Sequence, residues 1–102
     1  MTKSEALLEC ESLWTLVGEW PYADLEAIER ARRFSRALSC GPNTSPYICE
    51  KAGTIVELFE HWFTEKRWRQ YGDEPFRLRA IVLSNIGNLR RAISSEYGVD
   101  PE

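Results

Sequence analysis

The side chains best suited to chemistry crowd into residues 57–72, ELFEHWFTEKRWRQYG. This stretch holds the only histidine, His61, with Phe59, Trp62, Phe63, Trp68 and Tyr71 and the cations Lys66, Arg67 and Arg69. Such a set suits three kinds of chemistry: proton or phosphate transfer at the imidazole, stacking of aromatics on unpaired bases, or an aromatic and basic patch that binds a protein. On a helix His61 lies between Glu57 and Glu65 at i−4 and i+4, two carboxylates that would favour its charged form. No second histidine and no nearby cysteine joins it, so the expectation is no metal. The chain has no nucleophile elbow, no phosphate loop, no Cys–His pair close in sequence and no paired-carboxylate motif on one face that would define an active centre. A non-enzymatic protein without cofactor is expected.

Composition limits the remaining choices. With 102 residues, 43% of them apolar, the chain can bury one core but not two, so residues 1–102 are read as a single domain. Its 13 Lys and Arg nearly balance 16 Asp and Glu, which argues against disorder. A net charge of −3 argues against holding nucleic acid by general phosphate neutralisation. Direct nucleic-acid binding is therefore not expected. No leader-like start and no apolar run long enough for a membrane span is present, so a cytoplasmic protein without a membrane partner is expected. Cys10, Cys40 and Cys49 fit reduced thiols better than a disulfide framework, with a Cys40–Cys49 bridge as the alternative.

The breakers at 18–21, 40–46 and 71–75 divide the chain into four segments. Thr2 and Glu5 have capping-box spacing, and Ala6, Cys10, Leu13, Trp14, Leu16, Val17 and Trp20 share one arc of the first helix. Leu25, Ile28, Ala31, Phe34 and Leu38 mark a second helix that starts near Pro21. Ser45 and Pro46 open a third, and Asp73 caps a fourth that carries Leu78, Val82, Ile86, Leu89, Ile93 and Tyr97. The fold expected is all-α: a compact antiparallel bundle of four helices at about 3–18, 22–40, 46–71 and 74–97, with sequence neighbours packed together. Gly87, in the poor helix former SNIGN, implies a kink or a closely packed neighbour. Glu26 with Arg30, and Glu29 with Arg33, are at ion-pair spacing, which leaves Arg32 and Arg36 without such partners.

Projected on an ideal helix, the opening stretch separates into two faces. Ile48, Ala52, Ile55, Phe59, Trp62 and Phe63 form a core stripe, while His61, Trp68 and Tyr71 point away from it. Two large aromatics beside Arg67 and Arg69 then either fold back under the 71–75 loop or form a contact surface.

Two resemblances bear on function. Residues 48–68, ICEKAGTIVELFEHWFTEKRW, resemble in part the helix-turn-helix of tetracycline-repressor-type regulators: Ala52-Gly53, Phe59, His61, Phe63 and Lys66 fall where that family has Ala-Gly, an apolar residue, His, Phe and Lys. The resemblance implies DNA reading, yet Thr54-Ile55-Val56-Glu57 replaces the polar cap after Ala-Gly, and Glu57 and Glu60 would face phosphates. A mid-helix histidine in a four-helix chain of this length also resembles histidine phosphotransfer domains, which implies phosphate carried on His61. Thr64 and Glu65 stand where those domains have lysine and a small residue.

The function expected is a small acidic adaptor or inhibitor of the immunity, antitoxin or anti-defence type, acting on a larger protein partner such as a nucleic-acid-handling complex. Its partner-binding residues are expected to be His61, Arg67, Trp68, Arg69 and Tyr71, joined by Glu9 and Glu11 from the acidic first helix. A homodimer is compatible with the same pattern.

Overall fold

The computed structural model describes residues 2–39, 44–71 and 75–97, with Trp68, Tyr71, Pro75 and Phe76 as backbone only. Five α-helices, α1 (Lys3–Glu19), α2 (Leu25–Ser39), α3 (Pro46–Glu57), α4 (Glu65–Tyr71) and α5 (Pro75–Glu96), and one π-helical turn (Leu58–Trp62) form an all-α bundle. Among the described residues there is no strand.

The caps explain where the helices begin. Thr2 Oγ1 accepts from the Glu5 amide at 3.1 Å while Glu5 Oε1 accepts from the Thr2 amide at 3.1 Å, the reciprocal pair that the spacing predicts. Ser45 Oγ accepts from the Ile48 amide at 3.3 Å, with Pro46 as first helical residue of α3. α2 starts later than about residue 22, because Asp24 is its cap: its Oδ1 accepts from the Ala27 amide at 2.8 Å, and Pro21 lies in the preceding bend. The expected cap Asp73 and loop cysteine Cys40 lie outside the described residues.

The long third helix is corrected to three pieces. α3 runs unbroken through Gly53, but the backbone then widens into the π-turn, closed by the Phe63 amide donating to Leu58 O at 2.7 Å. Phe63 leaves helical geometry at φ −87°, ψ 52°, and Thr64 Oγ1 accepts from the Arg67 amide at 3.3 Å to start α4. The break frees the Phe63 carbonyl, which accepts from the Ala23 amide at 2.7 Å and ties the α1–α2 connector to the base of α4.

Helix pairing departs from sequence order only at α1. α1 lies antiparallel on α5, as the contacts of Glu11 with Arg90 and of Trp20 with Arg79 show, while α2 packs on α3 and α3 on α5. The neighbours α1 and α2 touch only slightly along their backbones. They are joined by Arg30, which donates through Nε to Glu9 Oε1 at 2.6 Å and through Nη2 to Ser12 Oγ at 2.8 Å. The stripe of α2 is Ala27, Ala31, Phe34 and Leu38, and Leu25 is 73% exposed. Steps of three residues drift by about 60° each, which carries Leu25 half a turn from Phe34.

Glycines mark two different situations. A Cβ at Gly87 would sit 3.3 Å from Trp14 Cζ3, so the helix-weakening glycine makes room for the indole of α1. A Cβ at Gly53 would meet nothing within 4 Å. Gly53→Ala is therefore expected to raise the unfolding free energy by about 0.5–1 kcal/mol, measured by denaturant titration. A loss of stability would mean that this backbone needs glycine.

Candidate functional site

The residues expected to bind a partner are not all brought together. Trp68 and Tyr71 stand on α4, but their side chains lie outside the described residues. Arg69 is exposed on the same helix and pairs with Glu65 at 2.7 Å, one turn back. His61 is exposed on the π-turn, and its nearest carboxylate is Glu60, with Nε2 3.8 Å from Oε2, rather than Glu57 or Glu65. Glu60 is also taken by Arg32, whose Nε donates to its other oxygen at 2.7 Å. Arg32, which sequence spacing left unpaired, is thus a bridge from α2 to the π-turn, with Glu29 as its second partner.

Glu9 and Glu11 of α1 each make an ion pair with another helix. Glu9 is held by Arg30 and Glu11 by Arg90 at 2.8 Å, so both carboxylates fasten helices to one another. The expected Glu26–Arg30 pair is replaced by Arg30–Glu9, because the guanidinium reaches two acceptors on α1 in one forked geometry.

Trp62, like Leu25 and Trp14, is more exposed than its helical phase implies. A strict 100° projection puts it in the core stripe, yet the indole is 45% exposed while Phe59 and Phe63 are buried. In the wider π-turn, Phe59 and Phe63 come nearly into line and Trp62 rotates outward. The Arg67 guanidinium lies over the indole, 4.7 Å from its centroid. Beside this stack is a shallow depression of about 540 Å³ lined by Glu60, His61, Thr64, Lys66, Arg67 and Gln70. Among the described residues α4 makes few backbone contacts with the other helices. A signal was present in the sequence: Phe59 and Phe63 are four residues apart with Trp62 between them, one large aromatic more than a single stripe can hold.

Among the described residues no group of three His, Cys, Asp or Glu could hold a metal. Cys10 and Cys49 are free thiols. Burial pushes the Cys10 thiol up to about 12, with Glu9 adding to the effect. Iodoacetamide at pH 8 is therefore expected to label half-buried Cys49 in the folded chain and to leave Cys10 unmodified until denaturant is added, as read by peptide mass spectrometry. The folded state keeps the Cys10 proton that an unfolded chain loses near pH 9.0, so this contribution to stability is present below pH 9 and fades as pH rises toward 12.

No helix among the described residues is long and apolar enough to cross a membrane. α3 has no turn at Ala52-Gly53, where a helix-turn-helix would need one. No family model, no curated protein and no solved structure matches this chain.

Proposed function

We propose that this chain is a non-enzymatic protein-binding module, an adaptor or inhibitor whose partner seats on the π-turn and α4. The observation that carries the reading is the half-exposed Trp62 indole with Arg67 stacked on it, displayed where the well-packed π-turn passes into the short helix α4. Tryptophan and arginine are the side chains most often found to dominate interface energy, and an indole already held by a guanidinium loses less freedom on binding. His61 and Lys66 line the depression beside the stack and supply polar and charged rim contacts, while Arg69 stands on the same helix paired with Glu65. Glu9 and Glu11 tie helices together, so this surface binds through its cations and aromatics rather than by imitating phosphate.

The test is capture of proteins from the native host lysate on the immobilised chain, identified by mass spectrometry. Proteins retained by the wild type and lost by a Trp62→Ala, Arg67→Ala double variant support the reading. Identical retention by both removes this surface, and retention of duplex DNA with salt-sensitive release would favour DNA binding instead.

A further inference from the structure

On the side of the bundle formed by α1 and α5, a second concave surface is independent of the π-turn. Trp14 lies 46% exposed over Gly87, and the groove beside it, about 560 Å³, is lined by Glu11, Thr15, Ser84, Ile86, Arg90 and Arg91, with Cys10 at its floor. Its small residues are spaced along both helices, Thr15 on α1 and Ser84 and Gly87 on α5, and leave room beside the half-exposed indole. From Ser84 to Arg91 the groove runs about 10 Å along α5, too short for a helix laid in by several successive turns. The volume falls in the usual range of small-ligand sites, about 300–1,000 Å³, which are mostly apolar with a few polar groups at the edge.

The rim fixes the charge of the occupant. Arg90 Nη2 donates to Glu11 Oε1 at 2.8 Å, which balances one guanidinium. Arg91 donates to the neutral amide oxygen of Asn88, and among the described residues no carboxylate pairs with it. Two arginines against one glutamate leave a single positive charge beside an apolar slot walled by an indole. We infer that this groove binds a flat, apolar small molecule carrying one anionic group, with an aromatic carboxylate as the simplest example. The indole and Ile86 take the rings, and Arg91 takes the carboxylate by a forked pair of hydrogen bonds.

The probe is 2-naphthoate, titrated into the full chain and followed by amide and indole NMR signals, with neutral 2-naphthamide as comparison. The Trp14 indole signal is assigned from its loss in Trp14→Phe. The expected result is saturable movement of the Trp14 indole and of amides in 84–91, with a dissociation constant of about 1 mM or tighter, in keeping with the size of the probe. 2-Naphthamide is expected to bind about tenfold more weakly, and Arg91→Gln to reduce 2-naphthoate affinity by a similar factor. Ser84→Leu, at an exposed helical position, should fill the slot and abolish the shifts while leaving the circular dichroism spectrum unchanged. Equal binding of both probes, indifference to Arg91→Gln, or no saturable shift at Trp14 would each overturn the assignment. Shifts confined to the π-turn and α4 would do so as well.

Discussion

Phe59→Ala is expected to cost about 3–5 kcal/mol, a large part of the stability of a chain this size. The ring is fully buried, in edge contact with Trp20 at a centroid distance of 6.1 Å and tilted against Phe63 at 6.2 Å. It therefore stands where the α1–α2 connector, the π-turn and the bundle core meet. Removing it opens a cavity that a π-turn clamped by the Phe63–Ala23 hydrogen bond cannot easily close. Thermal melting followed by circular dichroism should show a midpoint lower by about 15 °C or more. A change below about 1 kcal/mol would mean that Phe59 is outside the core. Trp62→Ala, three residues away, should cost only about 1 kcal/mol, since nearly half of that side chain is already in water.

The second large effect concerns binding rather than folding. Once a partner is in hand, Trp62→Ala or Arg67→Ala is expected to weaken it by about 30-fold or more, equivalent to about 2 kcal/mol, when measured by calorimetry. The two losses should not add, because each side chain holds the other: the guanidinium sits 4.7 Å from the indole centroid. Arg67→Lys keeps the charge but not the planar stack, so most of the affinity should go with it. Lys66→Ala, at an exposed position on the rim, should change affinity by no more than a few-fold. If Arg67→Lys binds as well as the wild type, the contribution is charge alone and the stack is incidental.

These contrasts mark how far the sequence could be read. Helix existence, the Thr2–Glu5 and Ser45–Pro46 starts, and the stripe Val82, Ile86, Leu89 and Ile93 all followed from local rules, and the helices obey them. Neighbour packing held for α2 on α3 and for α3 on α5 but not for α1, because nothing in the short α1–α2 connector reports that α1 prefers the distant α5. The π-turn was illegible for a related reason. One extra backbone residue per turn leaves no composition mark, and it appears only as a conflict between Phe59, Trp62 and Phe63 over one face. Sequence distance also misassigned charges: Arg30 and Arg32 found carboxylates 21 and 28 residues away, beyond the reach of i,i+4 counting. Gly87 was recognised as needing a reason, and Trp14 supplies it.

The pairing of α1 with α5 also sets the order in which this protein can fold during synthesis. Leu13 and Val17, fully buried in the finished bundle, belong to α1, which is made well before its principal partner α5. Until α5 has left the ribosome, that apolar face has no permanent cover, and α2 with α3 can form only a partial core. A nascent chain stopped before residue 75 therefore exposes a tryptophan-bearing amphipathic helix, a natural client for chaperones that hold incomplete proteins. The cover of α1 arrives only with α5.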